Sequence, residues 1–192
     1  MLKQSFFLSI LGILLTSPLT WAGNQLIPDN KFREELKAAL KKDHAFVDQF
    51  EAEVWLKDMS ARLAKRAPKI PEKERFDILR IAHREAKRYN LDPQIVLALI
   101  EVESNFDRFA ISSAGALGVM QIMPFWKDVI GNENDNLMNI DTNIRYGCAI
   151  LSIYIKREKK NMTLALARYN GSVGKTWYPM RVYKALRLRW KS

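Results

Sequence analysis

"LALIEVESNFDRFAISSAGALGVMQIMP", Leu97 to Pro124, sets two glutamates in a run that otherwise belongs in a core. Ile95, Val96, Leu97, Leu99, Ile100 and Val102 surround them. Acidic side chains are rarely buried unless something satisfies them. Residues three and four apart share a helix face, so Glu103 extends the stripe of Val96, Leu99 and Ile100 to its C-terminal end. Glu101 is two positions back, about 200° around the axis at ~100° per residue. The two carboxyls therefore cannot face each other across one bond while the helix persists. What remains is a single glutamate at the mouth of an apolar face, followed by serines, glycines and a glutamine.

That setting has a chemical consequence. Taking a carboxyl out of water disfavours its charged form, and the negative end of a helix pushes the same way. A glutamic acid still protonated near neutral pH can donate to a leaving oxygen, a general acid worth roughly 10²–10⁴-fold in rate. The plainer alternatives are a glutamate turned to solvent or paired with Arg108. Gly115 and Gly118 permit turns and close approach that other residues resist. Ser112, Ser113 and Gln121 offer hydroxyls and an amide, and Met120 and Met123 offer adaptable apolar surface. Polar groups on an apolar floor are the usual form of a ligand site.

Outward from this stretch the chain reads as all-α. Helical periodicity runs over residues 29–66, 76–89, 93–103, 141–157, 163–170 and 179–190. Phe46, Val47, Phe50, Val54, Trp55 and Met59 are expected to form one buried stripe. Asn90 is placed to end one helix, Asp92 to cap the next, and Pro93 suits its first turn. The prolines of "APKIPEK", residues 67–73, make that segment a linker. No alternating strand of any length is evident. Lys3, the apolar run Phe6 to Leu15 and the small-residue site at Thr20-Trp21-Ala22 have the layout of a secretory signal peptide. The expected organisation is a signal peptide over 1–22, an N-terminal helical segment and linker over 23–72, and a main helical domain over 73–192.

The 192 residues carry a formal net charge of +10. In an exported protein such charge meets wall polymer and anionic surfaces, and no nucleic-acid recognition motif accompanies it. Cys148 is the only cysteine, which excludes an intramolecular disulfide, and its apolar surroundings point to a buried thiol. His44 and His83 are the only histidines, and no ligand cluster has metal spacing. Neither a metal nor a cofactor is expected.

Three blocks, "ESNFDRFAISSAGALGVMQIMP", "NIRYG" at Asn143 to Gly147 and "ALARYN" at Ala165 to Asn170, resemble the catalytic domain of soluble lytic transglycosylases, a family related to goose-type lysozymes. The resemblance covers residues 76–170 and leaves 23–70 outside. It implies a lysozyme-like helical fold with a groove for glycan strands. It places the catalytic glutamate on Glu103, and sugar-facing or groove-lining roles on Ser112, Gln121 and Met123. It matches Tyr169 to the tyrosine whose hydroxyl orients the glutamate, and gives Ser104, Asn143 and Asn170 supporting places. The chain departs from the family pattern at Arg168, where a small residue is usual, and at Gly171-Ser172.

The family resembles enzymes in which the sugar's own N-acetyl group replaces a second carboxylate. The implied activity is non-hydrolytic cleavage of the N-acetylmuramic acid–N-acetylglucosamine bond in peptidoglycan, leaving 1,6-anhydro ends, in the periplasm. Wall or secretion-machinery proteins are candidate further partners, and no membrane span is expected once the signal is removed. The alternatives are a lysozyme-type hydrolase on the same scaffold and a non-catalytic wall-binding component of an envelope-spanning machine.

Overall fold

The computed structural model describes residues 49–191 and, ahead of them, Asn30 alone. The signal-peptide reading of residues 1–22, and Phe46 and Val47 of the expected stripe, lie outside the described residues. Seven α-helices run through the rest: α1 (Gln49–Arg66), α2 (Glu72–Arg88), α3 (Pro93–Ser104), α4 (Trp126–Ile130), α5 (Ile140–Arg157), α6 (Met162–Asn170) and α7 (Trp177–Ala185). A π-helical turn, Leu186–Trp190, follows α7. Among the described residues strand pairing is confined to isolated bridges of Leu117 with Ile111 and with Ile122. The all-α expectation holds.

α3 is the axis of the fold. Every residue from Ile95 to Glu101 is buried, so the helix is enclosed on all sides rather than laid on a surface. It packs against α2, α7 and the π turn, while α5 and α6 pack against each other beside it. Its start follows its sequence: the Asp92 side chain accepts from the Gln94 N–H and Pro93 occupies the first turn. Asn90, at φ 55°, turns the chain out of α2.

α1 contributes Met59 and Leu63 to the same core as α3. Of the expected stripe, Met59 is buried and Trp55 packs half-buried on the His83 ring at 4.9 Å, but Val54 is exposed. At ~100° per residue Val54 stands about 180° from Leu63, so both cannot face the core. The linker is shorter than expected, because α2 begins at Glu72. The final helix is also not continuous. After Ala185 it widens, with the Lys191 N–H reaching the Leu186 carbonyl at 2.8 Å. Arg62 holds that widened end by donating to the carbonyls of Arg189 and Lys191 at 3.0 and 3.1 Å.

Candidate active site

Glu103 sits in the last turn of α3, where the chain breaks sharply. Asn105 and Phe106 both take left-handed backbone, at φ 53° and 69°. Such geometry in a bulky residue is costly and persists only where surroundings over-determine it. Phe106 is fully buried and meets the Trp190 ring edge-on at 5.4 Å, which supplies that constraint. Ser104 ties the helix end to the following loop, its hydroxyl donating to the Val119 carbonyl at 2.8 Å.

The loop from 105 to 124 is held by side chains as much as by backbone. Asn143, on α5, makes three hydrogen bonds of 2.8 Å. Its oxygen accepts from Met120 N–H, and its nitrogen donates to the Leu117 and Leu137 carbonyls. Gly118, at φ 76°, passes so close that a β-carbon there would overlap the Asn143 amide and lie 2.6 Å from the Leu137 oxygen. Gln121 is buried, at φ 51°, and its amide nitrogen donates to the Ala110 and Gly118 carbonyls at 3.1 and 2.9 Å. Both of its N–H groups are thereby engaged within the loop. The Ser112 hydroxyl accepts from the Ala116 N–H at 3.0 Å, which leaves its own proton free to be donated outward. Ser112 and Met123 are half-buried at the loop surface.

The carboxyl of Glu103 accepts a short hydrogen bond from the Tyr178 hydroxyl of α7. Protein crowds this carboxyl, although one edge of the residue remains open to solvent. Desolvation raises its pKa to about 7, against opposing pulls from the Tyr178 hydrogen bond and the positive charge of Arg181. Burial outweighs the opposing groups, which are one neutral hydroxyl and one exposed guanidinium. Tyr178 is itself pushed well above the usual tyrosine range, first by burial and then by the nearby Glu103 charge. It remains a proton donor throughout the physiological range.

Tyr169 lies behind the same crevice. It is 1% exposed, and its hydroxyl donates to the Met120 carbonyl at 2.9 Å. It lies near enough for the Glu103 charge to raise its pKa, after burial. The hydroxyl seated on the catalytic candidate is therefore that of Tyr178. Asn170 is buried beside Tyr169, with its side-chain oxygen unmatched by any donor among the described residues.

The departures from the family pattern have local explanations. Arg168 forms an ion pair with Glu158, at the end of α5, with its Nε 2.6 Å from the carboxylate. Gly171, at φ 78°, closes α6 in left-handed geometry. Arg108 approaches Glu74 at 3.8 Å, so its ion-pair partner is on α2.

Glu101 faces away from the crevice into a separate cluster. Its carboxylate accepts from Arg66 Nε at 2.8 Å, Arg189 Nε at 2.7 Å and Trp190 Nε1 at 2.8 Å. Among the described residues no group of three or more potential ligands could hold a metal ion.

A sequence model of the transglycosylase SLT domain matches residues 80–187, more than half of the chain. The chain belongs to the transglycosylase SLT domain family. Among curated proteins it is similar to membrane-bound lytic murein transglycosylase C of Edwardsiella ictaluri, 29% identical over 119 residues, covering 54% of this chain and 33% of that protein. The protein of the same name from Salmonella typhimurium is 29% identical over 105 residues, covering 46% of this chain and 29% of its own length. That from Actinobacillus pleuropneumoniae is 44% identical over 46 residues, 24% of this chain and 13% of the relative. The chain thus spans about a third or less of the curated relatives it matches. The SLT match includes Glu103, the loop through Pro124, Tyr169 and Tyr178.

Proposed function

We propose that this SLT-family chain is a peptidoglycan lytic transglycosylase in which Glu103 acts first as acid and then as base. The observation that carries the reading is one glutamate, raised to a pKa of about 7, oriented by Tyr178 and, among the described residues, without a carboxylate acting on it. Two-carboxylate hydrolysis needs a second acidic group at about 5–9.5 Å across the sugar. The nearest acid in sequence, Glu101, is held by three donors on another side of α3. A substrate that brings its own second group suits this arrangement.

In the proposed reaction the Glu103 carboxyl protonates the glycosidic oxygen between N-acetylmuramic acid and N-acetylglucosamine. As the bond breaks, the N-acetyl carbonyl oxygen of the muramyl residue supports the cationic anomeric carbon. The Glu103 carboxylate then takes the proton of the muramyl C6 hydroxyl. That oxygen closes on the anomeric carbon, giving a 1,6-anhydro ring and restoring the acid. No water is consumed, so a crevice that sheds water favours ring closure over hydrolysis. Ser112, with a free hydroxyl proton, suits the N-acetyl group; Met123 and exposed Trp177 suit the sugar faces.

Mass spectrometry of digested sacculi tests the reading. Anhydromuramyl ends are expected; reducing muramyl ends alone would assign the site to a lysozyme-type hydrolase. An envelope location is part of the same proposal. It rests on the leader-like start of the sequence and on the substrate, and is checked by fractionating cells that express the full chain. Among the described residues no helix is long and apolar enough to cross a membrane.

A further inference from the structure

Left-handed backbone at residues other than glycine occurs at six described positions, and these fall into two groups. Asn105, Phe106 and Gln121 belong to the Glu103 crevice. Asn90, Lys159 and Lys160, at φ 55°, 51° and 69°, rim a cavity of about 510 Å³ near the opposite end of α3. Leu91 and Glu103 are twelve positions apart, about 18 Å along a helix. The cavity is lined by Tyr89, Leu91 and Ile155 as an apolar floor, with Asn90 and Ser152 as polar groups and Lys156, Lys159 and Lys160 as cations.

No acid lines this cavity. Glu158 interrupts the run "KREKK", 156–160, yet its carboxylate is taken up by Arg168 at 2.6 Å, which leaves the lysine charges uncompensated from that side. Asparagine tolerates left-handed backbone, but lysine adopts it only against the clash of its β-carbon. Two successive lysines where glycine or asparagine would relax the turn indicate that the charge is wanted there. The turn is fixed by the Lys160 N–H on the Ile155 carbonyl at 2.8 Å and the Lys159 N–H on the Lys156 carbonyl at 3.1 Å. The cations are lysines throughout. A lysine acts as a compact point charge with three donors, a form in which it serves as a phosphate partner.

We propose that this cavity binds a phosphate group, with Lys156, Lys159 and Lys160 as counter-charges and the Asn90 amide as a hydrogen-bond donor. The site is separate from the Glu103 crevice and does not depend on the catalytic reading. Its phosphate comes either from an anionic lipid headgroup or from a soluble phosphate ester. The apolar floor accommodates the carbon skeleton that carries the ester.

The test uses the full chain and the double variant Lys159→Asn/Lys160→Gly, which removes two charges while relaxing both left-handed positions. Inorganic pyrophosphate is titrated against backbone amide NMR signals, and co-sedimentation is measured with phosphatidylglycerol and with phosphatidylcholine vesicles. Pyrophosphate should shift the amides of residues 90, 152, 159 and 160. The variant should bind at least tenfold more weakly while melting at a higher temperature, which shows that it is folded. Selective sedimentation with phosphatidylglycerol, lost in the variant, assigns the phosphate to a lipid; pyrophosphate binding without sedimentation assigns it to a soluble ester. The proposal is overturned by unchanged binding in the variant, by shifts confined to the Glu103 loop, by no binding of either probe, or by acetate competing as well as pyrophosphate.

Discussion

Glu101 and Glu103 stand two residues apart on one helix and live in opposite chemical worlds. Glu101 is closed off from solvent, and three N–H donors from α1 and the C-terminal turn converge on its carboxylate. Glu103 has one hydroxyl on its carboxyl and an edge left open. A fully satisfied carboxylate is anchored as an ion and binds elements together. A desolvated carboxyl with few donors prefers its proton and can give it away. The half-turn between them is what lets one helix carry both a structural clamp and a proton donor.

The contrast is open to attack at four points. Glu103→Gln should lower wall-clearing activity by about 10²–10⁴-fold, the usual worth of a general acid, with glycan binding retained in a pull-down on sacculi. The same variant gives a stability readout. Because the folded pKa of about 7 exceeds the usual carboxyl value near 4.3, the native state holds the proton more tightly. That contribution is whole below pH 4 and is lost as pH rises through 7. Glu103→Gln should therefore match the parent near pH 4 and exceed it by on the order of 1–2 kcal/mol at pH 8 in denaturant titrations, allowing for the open edge of the residue. Equal stability at both pH values would break the assignment of Glu103 as the desolvated acid.

Breaking the clamp should act on stability, not on titration. Glu101→Gln keeps an acceptor but removes the charge, leaving Arg66 and Arg189 without a counter-ion. A loss of about 2–3 kcal/mol is expected, with the alkaline limb of activity unmoved. Tyr178→Phe should do the reverse. Its hydroxyl favours the Glu103 carboxylate, so removal shifts the alkaline limb of the pH–rate profile upward while misplacement slows turnover about tenfold. A limb that moves downward would refute the role given to Tyr178. The smallest effect is expected from Tyr169→Phe. It deletes the bond to the Met120 carbonyl, for about 1–2 kcal/mol of stability and a limb left in place.

Much of this was legible before any coordinates. The periodicity located α2, α3, α5 and α6 to within a few residues, since each places enough apolar side chains at helical spacing to bury a face. Asp92 and Asn90 marked the start of one helix and the end of another because a cap is a local device. The five-residue α4, Trp126–Ile130, escaped because one turn and a half has no readable period. The break after Ala185 escaped for another reason: local sequence there is helical, and the wide turn is held by distant partners, Arg189 and Trp190 on Glu101 and Arg62 on the last carbonyls. Tyr178 was missed because its partner is 75 residues away. The pair Trp177-Tyr178 opening the last helix was the one available hint.

By itself the order of residues determined that the chain is helical and that Glu103 rather than Glu101 ends the apolar stripe of Val96, Leu99 and Ile100. These follow from spacing, which is local. Only tertiary structure decided which tyrosine holds Glu103, that Gln121 and Tyr169 brace the loop from within, and that Glu101 is locked by α1 and the C-terminus. Those outcomes depend on which side chains distant segments bring to the same few ångströms, and on how much water the assembled walls exclude. Neither quantity exists until the helices have packed.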